Sequence, residues 1–507
     1  MPENNPSYAL ANPLSILLEK PPNDFQKADL LNIIEQRQIE RITFHYTALD
    51  GRIKELKLPL TSRHQAELIL AEGERVDGSS LFRGVVDTGL SDLYVVPEYK
   101  TAFLNPFDDC SLDFLCRFLT KDGERAPFAL DNILERACRL FRDNTELDLY
   151  ASGELEFYLI FERDPDIFAL QNQVAYHEAA PFIKSGEILN EIVRYISKIT
   201  GAVKYSHSEV GFINNIESDL DEIQGKTAEQ LEVEFIPRPA EEMADILVLA
   251  RWIIRNVAYQ HGCVATFIPK IDERIAGSGL HFHMALKKGG KNIMTDSDGK
   301  LSESALRLIG GLCEYAGSLT AFGNMITSSY LRLSPDHEAP THICWSDLSR
   351  STLIRVPLGW SDLHNVAKKI NPQEEADIDD IESRQTIELR SPDGSALIHL
   401  LLAGIVMAAE WAIKDNRSLE LAEKFYVREN TFKDKNKLDN FPLLPSSCTE
   451  SSQILIKKRN LYERDGIFPQ SIIEYVAGLL KEEDVALVSQ GLIYDVKKIM
   501  YKDIHRH

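Results

Sequence analysis

Cysteine is sparse and unpatterned in this 507-residue chain. The seven residues Cys110, Cys116, Cys138, Cys263, Cys313, Cys344 and Cys448 include no C-x-x-C pair and no even framework. Reduced thiols are therefore expected, which points to the cytoplasm. The N-terminus also lacks the basic and apolar regions of a secretion leader. Long apolar runs are missing. The longest, Ala396 to Ala409, contains His399 and is about 14 residues, short of the roughly 20 that span a bilayer. It reads as a buried core helix, and no membrane association is expected. Basic charge is in deficit, with 56 Lys and Arg against 78 Asp and Glu, a net charge of −22. Nucleic acid is excluded as a partner, because its phosphates would be repelled. There is no internal repeat and no low-complexity tract. Composition is otherwise that of a globular protein, 44% apolar and 26% charged. The length allows two or more domains.

Three common motifs also fail. Gly225-Lys226-Thr227 resembles the end of a P-loop, but Leu220 stands where the first Gly is required. Gly277-Ser278-Gly279 begins like a dinucleotide fingerprint, but Phe282 occupies the third Gly position. His337-Glu338-Ala339-Pro340-Thr341-His342 places its second His one residue too late for a zinc-protease helix, and Pro340 would break that helix. Any ATP site here is not of the P-loop type.

What is present is charge inside apolar strands. Gly153-Glu154-Leu155-Glu156-Phe157-Tyr158-Leu159-Ile160-Phe161 reads as a strand, and alternation puts Glu154 and Glu156 on one face. Each desolvated carboxylate costs several kcal/mol unless a cation compensates. An edge strand with one wet face would look the same. The device recurs, however. Gln230-Leu231-Glu232-Val233-Glu234-Phe235 carries the same i, i+2 carboxylates. Leu280-His281-Phe282-His283-Met284 puts two imidazoles on one face, and Thr386-Ile387-Glu388-Leu389-Arg390 pairs an acid with a guanidinium. Four such strands predict one sheet curved around a polar, metal-filled cavity. Carboxylate and imidazole ligands without thiolates favour Mg²⁺ or Mn²⁺.

Residues 1–27, rich in Pro and Asn, are expected to form a loose arm. Residues 28–121 carry short strand patterns at Ile42 to Tyr46, Ile53 to Leu58 and Leu93 to Val96, a hairpin signal at Asp50-Gly51 and a helix pattern from Ser62 to Glu74. They predict a small α+β domain, in which Asp77-Gly78-Ser79-Ser80 reads as a turn. Residues 122–507 alternate helices and strands, with helices over Asn132 to Arg142 and Ala240 to Gln260. Residues 370–382 read as an acidic, solvated loop. The last hundred residues are mainly helical and end in a basic tail, Lys497 to His507.

With these strands in place, the chain resembles the glutamine synthetase family from about residue 40 to 480. The ordered segments are Asp77-Gly78-Ser79-Ser80, Gly153-Glu154-Leu155-Glu156, His207-Ser208-Glu209-Val210 and Gly277-Ser278-Gly279-Leu280-His281-Phe282-His283. They continue with Arg332-Leu333-Ser334-Pro335-Asp336-His337-Glu338-Ala339-Pro340, Arg350 to Pro357, and Glu388-Leu389-Arg390-Ser391-Pro392-Asp393. The resemblance implies an α+β fold: an N-terminal β-grasp domain, a catalytic domain with a curved antiparallel sheet (shared with guanidino kinases) and C-terminal helices. It also implies a homo-oligomer, a double-ring dodecamer with sites between neighbouring subunits. One Mg²⁺ or Mn²⁺ would be held by Glu156, Glu209 and Glu232, and a second by Glu154, His281 and Glu388. Gly277, Arg332 and Arg390 would bind glutamate. His283, Arg350 and Arg355 would serve ATP, with Arg350 catalytic. Glu338 would close the site and take a proton from the attacking amine. The implied reaction joins glutamate to ammonia, with ATP, through γ-glutamyl phosphate.

Four positions depart from the family pattern. Ala48 replaces an Asp that binds ammonium, and Asp50 lies two residues later. Ala276 replaces an Asn that contacts glutamate. Ala285 replaces a Ser on the nucleotide side. The segment between Glu209 and Glu232 is longer than usual, with Glu229 replacing a Gly. The regulatory Tyr of some bacterial members has no counterpart at Tyr426 or in Asn460-Leu461-Tyr462. The phosphoryl-transfer half reads as intact and the amine half as altered. Two alternatives therefore stand beside glutamine synthesis: a γ-glutamyl ligase taking an organic amine, and a non-catalytic relative acting in assembly or regulation.

Overall fold

The computed structural model describes every residue except 1–7, 88–90, 164–167, 169, 172, 335–338, 360–364, 378–382, 429–437, 439, 490–494 and 507; for 487–489 it describes the backbone alone. The strands are β1 (Arg41–Thr47), β2 (Ile53–Pro59), β3 (Glu74–Asp77), β4 (Asp92–Pro97), β5 (Phe103–Leu104) and β6 (Ser111–Leu119). They build a first sheet of order β2-β1-β6-β4-β3, with β5 against β6. β1 and β2 pair antiparallel around the Asp50-Gly51 turn, where Gly51 adopts φ +74°. The expected helix appears over Arg63–Glu72, capped by Ser62.

Two local expectations differ from the structure. The stretch Asp77-Gly78-Ser79-Ser80 is not a plain turn. β3 runs directly into a short helix, Gly78–Leu81, whose first backbone N–H groups are capped by Asp77 (Ser79 N to Oδ1, 2.9 Å). Residues 12–18 of the expected arm are not loose either. Asn12 caps a helix over Pro13–Leu18, Leu14 is buried, and Asn12 Nδ2 donates to the Ile199 carbonyl at 3.2 Å. A capping Asn before Pro at the first helical position is a helix-start signal that overrode the Pro- and Asn-rich composition.

The second sheet contains β7 (Asp148–Phe161), β8 (Val203–Ile213), β9 (Thr227–Phe235), β10 (Arg238–Pro239), β11 (Val264–Thr266), β12 (Leu280–Lys288), β13 (Lys291–Asn292), β14 (Trp345–Asp347), β15 (Ile354–Val356) and β16 (Ile387–Leu389). Its order is β14-β15-β16-β12-β7-β9-β8, antiparallel except between β14 and β15, and it curls into a half-barrel. All four acid- and imidazole-bearing strands are adjacent, as their pattern predicts. One face carries the polar row. The other packs on helices, chiefly Ala240–Gln260, which runs as predicted, with Leu130–Thr145, Glu303–Gly323 and Ile398–Lys414 beyond it. The apolar run 396–409 is thus a core helix, and no helix among the described residues is long and apolar enough to cross a membrane. Residues 370–377 carry no strand or long helix, and Gln373 to Asp377 are exposed. The rest of that acidic segment, 378–382, lies outside the described residues.

The first sheet meets the helices at a buried ionic junction. Arg117 of β6 contacts Asp245 of the Ala240–Gln260 helix, lies 2.8 Å from Glu98 and 3.5 Å from Asp131, and Asp245 also pairs with His399 at 3.2 Å.

Candidate active site

The strand register assembles the polar face. Across β7 and β9, Glu154 lies opposite Glu234 and Glu156 opposite Glu232. Across β7 and β12, His281 lies opposite Glu154. Further out, His283 faces Glu388, and Glu388 faces Arg355 of β15. Glu209 belongs to β8, where the pairing with β9 is bulged between Ser208 and Phe212. A bulge re-aims side chains, and here Glu209 reaches the same cavity as Glu156 and Glu232. Like charges set directly opposite are destabilising, so Glu156 against Glu232 requires compensation.

The compensation inside the protein is uneven. Glu154 accepts from both imidazoles, His281 Nδ1 at 2.8 Å and His283 Nε2 at 2.7 Å. Burial pushes Glu154 up, but His283 and His281 outweigh it and hold the carboxyl well below its usual range. Burial lowers His283, and Glu154 reverses this and raises it to about 9. Burial likewise raises Glu388, while His283 and Arg390 bring it below its usual range; Arg355 donates to it at 2.8 Å. This half of the row is internally neutralised. The other half is not. Burial, then the charges of Glu156 and Glu232, raise Glu209 to about 8. Burial and the neighbouring Glu154 and Glu156 push Glu232 well up. Glu156 accepts from Gly279 N at 2.9 Å and Gln230 Nε2 at 3.1 Å, while His207 is the nearby base, 3.3 Å from Glu232 and 3.7 Å from Glu209.

Excess buried carboxylate of this kind is the chemistry of a hard divalent cation site. Glu209, Glu232 and His207 can present donor atoms within 4.8 Å of one another, as can Glu154, His283 and Glu388, and Glu154, Glu232 and Glu234. His281 Nδ1 stands 3.9 Å from Glu156 and 3.8 Å from Glu388, so it faces the same group. The residues present fit divalent ions.

A cavity of about 320 Å³ opens over this row. Of the residues expected at the site, Glu154, Glu156, Glu209, Glu232 and His281 line it, together with Gly277, Arg332, Arg350 and Arg390. Glu388, His283 and Arg355 are linked to the lining through the bonds above. Arg332 is buried and fixed by the Ser391 carbonyl at 2.9 Å and the Arg390 carbonyl at 3.1 Å. Gly277 and Gly279 must be glycine. A Cβ on Gly277 would lie 2.4 Å from the Pro269 carbonyl oxygen and 2.7 Å from Arg332 Cγ, and one on Gly279 2.6 Å from His281 Nε2. Glu338 lies outside the described residues. Of the departures, Ala276 lines the cavity and Ala48 is buried. Asp50 does not stand in as a free acid, because Lys54 at 2.7 Å and Arg52 at 3.2 Å occupy it.

Sequence reasoning gave no site role to four residues. Gln230 donates to Glu156, the Gly277 carbonyl and Ser278, and accepts from Gly211 N. It lies two residues before Glu232, on the same face, so strand alternation contained the signal. Glu234, two residues after Glu232, is on that face too, buried and paired with Lys204, and His207 reaches it by lying opposite Glu232 in the β8–β9 register. Tyr176 lines the cavity from a loop and stacks near His177 and His207, and no periodic signal marks it.

Comparison with known proteins gives a consistent result. The family described as "Glutamine synthetase, catalytic domain" matches residues 131–492. The glutamine synthetase of Pyrococcus horikoshii is 29% identical over 93% of this chain and 96% of its own length. That of Halobacterium salinarum is 32% identical over 75% of this chain and 76% of its own. Among solved structures, Plasmodium falciparum glutamine synthetase superposes with a TM-score of 0.73 at 22% identity, over 93% of this chain and 98% of that one. A GmaS/ADP complex superposes with a TM-score of 0.69 at 18% identity, over 92% and 98%.

Proposed function

The chain belongs to the glutamine synthetase family and is a ligase; from that premise we propose that it joins the γ-carboxylate of glutamate to an amine with hydrolysis of ATP, ammonia being the default acceptor. One observation carries this reading: Glu156, Glu209 and Glu232 share a cavity with Arg332, Arg350 and Arg390. Excess carboxylate for divalent ions beside guanidinium groups for carboxylate and phosphate is what phosphoryl activation of a carboxylate needs.

Glu156, Glu209 and Glu232 would hold one Mg²⁺ or Mn²⁺, and Glu154, His281 and Glu388 the other. Bound there, the ions would supply charge neutralisation for the ATP phosphates. Arg332 and Arg390 orient glutamate, whose backbone approach Gly277 permits. A γ-carboxylate oxygen attacks the terminal phosphorus of ATP and ADP leaves, while Arg350 and Arg355 neutralise the transferred group and His283 serves the nucleotide end. The amine nitrogen then attacks the acyl carbon, Glu338 takes its proton, and phosphate departs with the carboxylate oxygen it received. Closure must exclude water, which would otherwise hydrolyse the acyl phosphate. A homo-oligomer, dodecameric as in the family pattern, and a cytoplasmic setting belong to the same reading.

A second reading is favoured by one set of positions. With Ala48 and Ala276 in place of two polar residues, and Asp50 engaged by Lys54 and Arg52, the amine side carries less charge for a small cation and more room. An organic amine is then the better acceptor. A purely assembly role has no support, since all six ligand positions hold suitable donors. Phosphate release and amide formation, measured with ATP, Mg²⁺ or Mn²⁺ and glutamate across ammonium, hydroxylamine, alkylamines and polyamines, separate the readings. Ammonium outperforming every organic amine would overturn the second. Silence with all of them would overturn both.

A further inference from the structure

The C-terminal segment and the long β8–β9 connection meet behind the site, where the catalytic role of neither is evident. Helix Val496–Tyr501 and the residues after it bury Ile499, Met500, Tyr501 and Ile504. Tyr501 and Ile504 join an apolar cluster distinct from the main core. Its other members are Tyr158 and Ile160 of β7, Ile213 of β8, Ala228 of β9, Ile216 and Ile223 of the β8–β9 connection, and Ile268, Ile271 and Ile275 of the segment leading into Gly277. Polar contacts close the same triangle. The Ile504 carbonyl accepts from Thr266 Oγ1 at 2.8 Å. Lys497 pairs with Glu217 at 2.9 Å, Lys498 lies 3.8 Å from Asp219, and His505 is 2.9 Å from Glu222. Lys502 and Arg506 anchor the tail to the buried Glu483 of helix Gln470–Ser489.

The substrate segment has little freedom of its own. Lys270 Nζ donates to the Ile275 carbonyl, Ser278 N to the Pro269 carbonyl at 2.9 Å, and Gly277 fits against Arg332 with no space for a Cβ. Its position is therefore set by what packs behind Ile271 and Ile275, and Tyr501 and Ile504 are part of that packing. The exposed ion pairs add little energy individually; they fix which part of the connection the tail grips, while the apolar contacts hold it.

We propose that residues 495–506 and the acidic connection Glu217 to Glu222 form a clamp that positions the 268–279 segment, so that Tyr501 and Ile504 are positioning residues for the amino-acid substrate. The proposal rests on reading Gly277 as substrate-binding. The test compares the full-length protein with Ile504→Ala, Lys497→Glu and the charge-swapped pair Lys497→Glu with Glu217→Lys. Amide hydrogen exchange over 268–279 speeds up about tenfold in Ile504→Ala, and the KM for glutamate rises about tenfold while the KM for ATP and kcat stay within about threefold. Lys497→Glu gives a smaller shift of the same kind, and the charge swap restores it. Unchanged exchange over 268–279 in Ile504→Ala overturns the clamp, as does a KM for ATP that rises in step with that for glutamate. If the full-length protein forms no product from glutamate, the functional reading fails by itself and the exchange measurement alone decides the clamp.

Discussion

Glu156 and Glu232 face each other across two hydrogen-bonded strands, and among the described residues neither forms an ion pair with a Lys or Arg. Glu209, raised to about 8 by burial and these two neighbours, completes a trio whose repulsion a divalent ion would relieve. Glu156→Ala is expected to lower kcat at least about 100-fold and to weaken Mn²⁺ binding in calorimetry. Retained activity with retained Mn²⁺ affinity would remove Glu156 from the site. Gly277→Ala brings a methyl group within 2.4 Å of the Pro269 carbonyl oxygen. It is expected to raise the KM for glutamate about tenfold or more, with ATP binding little changed; equal loss toward both substrates would contradict its assigned place. At this scale the sequence was informative wherever a residue sat on a strand with period 2. Glu154, Glu156, Glu232 and His281 follow from alternation alone. Glu209 does not, because a bulge turns it inward and bulges leave no clear trace in composition. Tyr176 arrives from a loop, where no periodicity exists to read.

The strands of the polar row and the helix Ala240–Gln260 were legible for the same reason, since their apolar spacing is set by burial on one face; β6, β8 and the helix Glu303–Gly323 were not read. Ala240–Gln260 matches its pattern end to end, because every turn of it packs against β7 or a neighbouring helix. Two short helices were not legible either. The helices Pro13–Leu18 and Gly78–Leu81 depend on single capping side chains, Asn12 and Asp77, rather than on a repeating pattern. The ionic junction between the first sheet and the helices was equally hidden, since Arg117, Asp245 and His399 are far apart in sequence. Burial pushes the Asp245 carboxyl up, but Arg117 and His399 outweigh it and bring it to about 2. Its folded value is depressed, so its contribution is present above pH of about 4 and lost as pH falls toward about 2. Asp131 runs the other way, raised by burial despite Arg117, so its contribution has the opposite sign. Urea unfolding between pH 5 and 2.5 (roughly this window) is expected to show an acid-dependent loss that Asp245→Asn reduces and Asp131→Asn enlarges. Arg117→Met should cost about 3–5 kcal/mol at neutral pH, by leaving buried carboxylates unpaired. A loss below about 1 kcal/mol would mean that the junction is wet.

As a whole molecule, the chain combines the family's curled sheet with Ala48 and Ala276, which the second reading places on the amine side. The reading that places each site between subunits expects a large closed particle of twelve copies, which mass photometry checks; a monomer with full activity would contradict the shared site. The most direct measurement of the central claim is oxygen transfer. Glutamate carrying heavy oxygen in its γ-carboxylate is incubated with the protein, ATP, Mg²⁺ and the best acceptor amine, and the released phosphate is analysed by mass spectrometry. A γ-glutamyl phosphate intermediate predicts that each phosphate released with amide product carries one labelled oxygen. Unlabelled phosphate formed alongside amide would contradict activation of the carboxylate by phosphoryl transfer, and with it the role assigned to the carboxylate-lined cavity.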